Sequence, residues 1–385
     1  MGLFIRNGSV LVDGSFKNTN ITIIDGKIAS IGDKDNTNSF QEVDANDKKI
    51  VPGFIDIHTH GGFGVDINHA TTQDLLTLSR FFASQGVTNW IASLVTDTEE
   101  NTIWCIEQIK EAMEKPIEGA RLLGIHLEGP FLDHGYKGSM PEHLLRNADI
   151  ELFEKYQKKA DGKIIYITIA PEIDGGLDLI RKLHDLGVVV AIGHSGADYE
   201  TAIEAIKAGA RCATHIFNAM RPIHHHNPAI PGAVLESEIY SEAICDGRHL
   251  HPATVRLIIK CKGLDRVIAV TDSIMAAGLK DGEYTLGVNK IVVENGDAKL
   301  LNGIRAGSTL TMINALKNIM AFTGRTLEEV IPLLTLNPAR LFCLDSHKGT
   351  IQEGKDADLV ILDNELNIDA TIVNGQIVYE RKTGA

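Results

Sequence analysis

The sequence predicts an α/β fold: a (β/α)8 barrel of the TIM type carrying a small β-sandwich domain built from both chain ends. Three observations lead there. Eight short apolar runs, at residues 50–58, 87–95, 122–128, 164–170, 187–193, 210–215, 242–246 and 266–272, alternate with amphipathic stretches. Strands that are apolar almost throughout and separated by helices belong to a parallel sheet buried on both faces. The two ends of the chain read instead as hairpins, and the length of 385 residues suits one barrel of about 250 residues plus a satellite. Periodicity alone also admits an open, doubly wound sheet.

At the N-terminal end, Ile21-Thr22-Ile23-Ile24 and Lys27-Ile28-Ala29-Ser30-Ile31 flank Asp25-Gly26, a pair that accepts the positive φ angles of a tight turn. At the other end, 357–362 is a strand, and Asn374-Gly375 joins 371–373 to 376–379. Neither end can build a core alone, so the two are expected to pair. The expected boundaries are 1–50 and 346–385 for the sandwich and 51–345 for the barrel. Helical patterns fall at 72–85, 99–114, 177–186 and 198–208, with 310–323 and 327–334 closing the series. Asp198 is placed to cap one helix, and Gly209 to stop it.

Composition excludes several classes. Hydrophobic residues make up 44% and charged residues 23%, the balance of a globular chain with a large core rather than a disordered one. No apolar run approaches the roughly 20 residues that span a bilayer, and Met1-Gly2-Leu3-Phe4-Ile5-Arg6 lacks a signal-peptide layout. A cytoplasmic location is therefore expected. A formal charge of −14 argues against a nucleic-acid or anionic-membrane partner. The cysteines, Cys105, Cys212, Cys245, Cys261 and Cys343, form no C-x-x-C pair. They read as buried thiols of a reducing compartment.

Chemistry-bearing residues gather where the barrel reading puts strand ends, and in such barrels the C-terminal ends share one active rim. His58 and His60 end the first strand, Glu128 the third, His194 the fifth, His215 the sixth and Asp272 the eighth; Arg248 and His249 follow the seventh. In His-x-His the period of two puts both rings on one face. Four imidazoles and two carboxylates suit a divalent cation such as Zn, Fe(II) or Mn. Each piece alone has a plainer reading: a hydrogen-bonded core histidine, or Asp272 as a helix cap. Their joint occurrence, with no similar residue inside a strand, favours the metal. His224-His225-His226 reads most simply as a solvated loop.

The segments Pro52-Gly53-Phe54-Ile55-Asp56-Ile57-His58-Thr59-His60-Gly61, His126-Leu127-Glu128-Gly129-Pro130-Phe131, Gly193-His194-Ser195, Thr214-His215-Ile216-Phe217-Asn218-Ala219-Met220 and Val270-Thr271-Asp272 resemble the amidohydrolase superfamily. Within it they are most similar to the N-acetylglucosamine-6-phosphate deacetylase family, and further echoes run through the rest of the chain. The resemblance implies hydrolysis of the acetamide of an N-acetylated amino sugar, a small-molecule partner, and commonly a homodimer. It implies one or two divalent metal ions per subunit: Glu128, His194 and His215 on the main one, His58 and His60 on a second, with Glu128 bridging. Asp272, also at the metal, becomes the acid–base shuttle, and His249 polarises the acetyl carbonyl. Strand four ends Ile169-Ala170-Pro171-Glu172, without the lysine that dihydroorotase and urease carbamylate.

On the substrate side the resemblance assigns Asn218 and Ala219. It also shows two departures: His226 stands where the family has a phosphate-binding arginine, and Met140 where it has a histidine. Histidine is largely neutral above about pH 6.5, whereas arginine stays charged and grips phosphate with a fork. Arg248 or Lys137 are the cations available to compensate. An unphosphorylated or epimeric N-acetylhexosamine and an N-acyl amino acid are the alternative substrates. A catalytically silent scaffold is disfavoured because every ligand position is filled.

Overall fold

In a computed structural model, which describes residues 2–32 and 40–382, eight parallel strands stand side by side in sequence order. They are Phe54–Thr59, Val87–Val95, Arg121–Glu128, Ile164–Ile169, Val189–Ile192, Cys212–Ala213, Tyr240–Ile244 and Val267–Val270. The sheet closes between the last strand and the first. Thr59 bridges Ser273 in parallel, the Asp272 N–H donates to the His58 carbonyl at 2.9 Å, and the His60 N–H donates to the Ser273 carbonyl at 2.8 Å. That seam selects the barrel over the open sheet, and it runs through three of the expected rim residues.

Every residue of Phe54–Thr59 and Val87–Val95 is buried, which is why these runs lack the polar alternation of a half-exposed strand. The outer helices bury single stripes: Gly176–Asp185 turns Leu179, Ile180 and Leu183 inward, each side chain worth about 1.5–3 kcal/mol on burial. Asp198 caps Tyr199–Lys207 by accepting from the Thr201 N–H. Thr71 and Asp74 form a reciprocal capping box at Thr72–Ser84.

The run at 50–58 divides at Gly53. Lys49–Pro52 joins the sheet of the chain ends, and Phe54–Thr59 opens the barrel. A Cβ on Gly53 would lie 2.2 Å from the Thr88 side chain, so the crossing point needs glycine. The expected helix at 327–334 becomes Leu327–Val330 followed by a 3-10 turn, Ile331–Leu333, as Pro332 cannot donate into a continuing helix. One element was not anticipated. Gly282–Leu286, Asn289–Glu294 and Asp297–Leu300 form an antiparallel sheet between the last barrel strand and the helix Met312–Thr323. Its Asn295-Gly296 turn is a hairpin signal overlooked among the charged residues.

The chain-end strands form the second large sheet, with Ile24 opposite Lys27 and Val373 opposite Gln376 across the two anticipated turns. Its own core includes Ile5, Ile21, Ile50, Leu359 and Ile372. A buried polar clamp joins it to the barrel. Lys348 Nζ lies 2.5 Å from Asp358 and 2.9 Å from Asp356, and Asp358 also accepts from Asn89 Nδ2 in the second barrel strand at 2.8 Å. The burial expected of all five cysteines holds for Cys105, Cys212 and Cys245 and fails for Cys261 and Cys343. Cys261 lies on the outward face of Pro252–Lys262, whose inner stripe is Val255, Ile258 and Ile259. Among the described residues no helix is long and apolar enough to cross a membrane.

Removing Asp358 leaves buried Lys348 with Asp356 alone and takes from Asn89 Nδ2 its acceptor across the junction. Asp358→Ala is therefore expected to cost on the order of 3 kcal/mol, measured by urea unfolding. A loss below about 1 kcal/mol would place this contact with ordinary surface pairs.

Candidate metal centre

Six expected rim residues meet at the barrel mouth, all buried: His58, His60, Glu128, His194, His215 and Asp272. His58 and His60 share a strand and a face. His194, His215 and Asp272 sit just beyond their strands, with φ of 48°, 26° and 47°. Left-handed backbone in non-glycine residues costs of order 1–3 kcal/mol each. Here it turns three side chains back over the mouth.

The geometry falls into two trios, His58–His60–Asp272 and Glu128–His194–His215, with the ligand atoms of each within 4.8 Å of one another. Glu128 faces both. Its Oε1 lies 3.1 Å from His194 Nε2 and 3.0 Å from His215 Nε2, while its Oε2 lies 3.1 Å from His60 Nε2. Asp272 Oδ1 is 3.2 Å from His60 Nε2.

The outer hydrogen bonds decide what these rings present. His60 Nδ1 lies 3.1 Å from the Ser93 carbonyl and His194 Nδ1 3.1 Å from the Tyr136 carbonyl. His58 Nδ1 lies 2.9 Å from the Glu242 carboxylate. Carbonyl and carboxylate oxygens only accept, so each Nδ1 carries a proton, and each ring in its neutral form turns an Nε2 lone pair inward. The Nε2 atoms of His58 and His60 are 3.2 Å apart, as are those of His194 and His215. The facing lone pairs of His58 and His60, beside two carboxylates, call for a positive species among them, and the donor set fits a divalent cation.

Electrostatics agree. Burial opposes charge on His58, His60, His215, Glu128 and Asp272, and the mutual field overrides it. Glu242 and Glu128 hold His58 well above its ordinary value, and Asp272 with Glu128 brings His60 up to about 9. Against its own burial, Glu128 is held well below the carboxylate range by His58, His194 and His215. Asp272 is lowered by His60 and His58.

The expectation that no comparable residue lies inside a strand fails at Glu242. Fully buried within Tyr240–Ile244, it accepts from His58 Nδ1, from Tyr166 Oη at 2.6 Å and from the His215 N–H at 3.0 Å. An acidic residue in an apolar run was itself the signal, since a buried carboxylate must be paired. Asp246 was likewise given no role. Its Oδ2 lies 2.7 Å from His249 Nδ1, and its Oδ1 accepts the His249 N–H at 2.7 Å.

A cavity of about 280 Å³ opens over the site, bordered by Met140, Asn218, Ala219 and His249 as well as His60, Glu128 and Asp272. Leu286 and Arg305 reach it from the antiparallel insertion and the turn after it. The other expected substrate contacts lie elsewhere. His226 is exposed, its ring tilted by 47° against that of His225 with centroids 4.0 Å apart. Arg248 donates to the Asn295 carbonyl. Lys137 Nζ donates to the Met140 carbonyl at 3.3 Å.

Residues 50–378 match the amidohydrolase family. The chain is 36% identical, over 99% of its length and 98% of the relative's, to the N-acetylglucosamine-6-phosphate deacetylase of Bacillus subtilis (strain 168). It is 33% identical, over 95% of its length and 96% of the relative's, to the N-acetylgalactosamine-6-phosphate deacetylase of Escherichia coli O157:H7. A solved structure of a mutant N-acetyl-D-glucosamine-6-phosphate deacetylase from Mycobacterium smegmatis, in complex with N-acetyl-D-glucosamine-6-phosphate, matches with a TM-score of 0.90 at 32% identity, covering 98% of this chain and 99% of that one. With its rim of paired imidazoles and carboxylates, the chain belongs to the N-acetylglucosamine-6-phosphate deacetylase family of metal-dependent amidohydrolases.

Proposed function

We propose that this chain hydrolyses the acetamide of N-acetylglucosamine 6-phosphate, releasing acetate and glucosamine 6-phosphate. The observation that carries the reading is Glu128 set between two imidazole groups whose lone pairs face inward, at the floor of a sugar-sized cavity. The names of the Bacillus relative and of the Mycobacterium complex support the substrate. The Escherichia relative favours one second reading, the galacto epimer, and acetate release from the two epimers separates them.

Glu128, His194 and His215 would hold one cation, and His58, His60 and Asp272 a second, with one Glu128 oxygen toward each. Zn, Fe(II) and Mn all suit imidazole and carboxylate donors. A divalent ion bound there supplies a Lewis-acid centre that acidifies water and polarises a carbonyl oxygen. The chain's own groups do the rest. Asp272, held in its charged form by His60 and His58, accepts a proton from the attacking water as the oxygen–carbon bond forms. It returns that proton to the sugar nitrogen as the carbon–nitrogen bond breaks. His249 donates a hydrogen bond from Nδ1–H to Asp246, so it can donate to the acetyl oxygen from Nε2 only as the imidazolium. Leu286 borders the cavity and limits competing water.

Asp272→Asn should retain bound metal while kcat falls about 10²–10⁴-fold, the usual worth of a general acid–base; near-native turnover would remove the shuttle. Glu128→Gln, which faces both trios, should lose metal by elemental analysis. Glu242→Gln is expected to weaken metal affinity about 10–100-fold by freeing His58, with turnover recovering as metal is added; unchanged affinity would make Glu242 merely a core residue. Metal-free His60 keeps its proton up to about pH 9, so Mn(II) must displace it. Affinity should rise with pH toward that value, and calorimetry in buffers of different ionisation enthalpy should show proton release at pH 7.5. Binding that is independent of pH would contradict the assigned protonation.

A further inference from the structure

A phosphosugar brings a dianion to a cavity whose barrel-derived border is short of fixed positive charge. Met140, Asn218 and Ala219 are neutral, His249 is paired with Asp246 and assigned to the acetyl oxygen, and the trios below are committed to cation and amide. Neither His226, Arg248 nor Lys137 borders the cavity. Among the described residues Arg305 is the one lysine or arginine that does.

Its surroundings prepare it for an oxyanion. Arg305 Nε and Nη2 donate to the two oxygens of Asp297, at 2.8 and 3.1 Å. Nη1 has no hydrogen-bond partner among the described residues. A guanidinium presents its donors in a planar fork, so fixing the Nε–Nη2 edge leaves the Nη1–Nη2 edge for a second acid. Asp297 also takes Lys299 Nζ at 2.8 Å; hydrogen bonds from Arg305 and Lys299 hold its carboxyl down to about 2 against partial burial. Asp297 thus answers two cations, and Asp246 acts on Arg305 at longer range, so the guanidinium stays charged while its Nη1 is left to a ligand. The backbone is pinned too: Arg305 bridges Lys299, and the Ala306 N–H donates to the Ala298 carbonyl at 3.2 Å. Arg305 is thus carried as an extra rung on the antiparallel insertion.

We infer that Arg305, oriented by Asp297, is the residue with which this chain recognises the phosphate of its substrate, a specificity contact supplied by the insertion rather than by the barrel loops. This rests on the proposed substrate. Asp297 acts as a positioning residue.

The test compares wild type, Arg305→Met and Arg305→Lys in acetate release from N-acetylglucosamine 6-phosphate and from N-acetylglucosamine. Calorimetric titration with inorganic phosphate runs alongside. Arg305→Met should lower the ratio of kcat/KM for phosphosugar over free sugar about 10–100-fold, through KM, as expected for a lost charged hydrogen-bond pair. Arg305→Lys, which keeps charge without the fork, should fall between. A ratio unchanged in Arg305→Met overturns the inference. Should wild type hydrolyse neither sugar, the substrate reading itself fails. In that event, phosphate binding lost in Arg305→Met still upholds an anion contact, and equal phosphate binding by both proteins overturns it.

Discussion

The constraint on which the structure turns is the direction of the imidazole protons. Ser93, Tyr136 and Glu242 claim the Nδ1 hydrogens of His60, His194 and His58, so unshared electron pairs converge on a buried point where Glu128 and Asp272 already concentrate negative charge. Such an interior is unstable unless protons or a cation neutralise it. The raised values of His58 and His60 and the lowered one of Glu128 describe the proton-filled form. One or two divalent ions in place of those protons would give the working form expected of a metal-dependent amidohydrolase.

The rest of the molecule serves that point. A closed barrel brings residues distant in sequence to one rim without loops long enough to flex. Its seam is fastened by the backbone of His58, His60 and Asp272 themselves, so closure of the fold and assembly of the site are one event. The left-handed backbone at His194, His215 and Asp272 is the conformational cost of aiming side chains inward from strand ends. The second sheet, locked through Lys348, Asp358 and Asn89, lies away from the chemistry and braces the barrel.

Much of this was legible in the residues. Apolar runs marked the barrel strands, because a strand buried on both faces has no polar alternation to hide it. The six rim residues stood out as the polar terminations of those runs. What stayed hidden depended on tertiary pairing. Glu242 looked like the edge of a run, since nothing local says that His58, 184 positions away in sequence, needs an acceptor. The insertion at Gly282–Leu286, Asn289–Glu294 and Asp297–Leu300 is short and charge-rich, so its burial pattern gave little signal. Arg305 gives no local signal for the same reason: its proximity to the cavity follows from how that insertion folds back. His226 and Arg248 are suggested by position in a motif, and in this chain both lie outside the border of the cavity.

The central claim is that the six rim side chains surround a cation. Anomalous diffraction from crystals grown with zinc, iron or manganese, collected on either side of the metal's absorption edge, addresses it directly. The account predicts a peak about 2.0–2.2 Å from the Nε2 atoms of His194 and His215 and from a Glu128 oxygen, with a second peak beside His58, His60 and Asp272 if two ions bind. Absence of any anomalous peak at saturating metal, with those side chains unmoved, would contradict it.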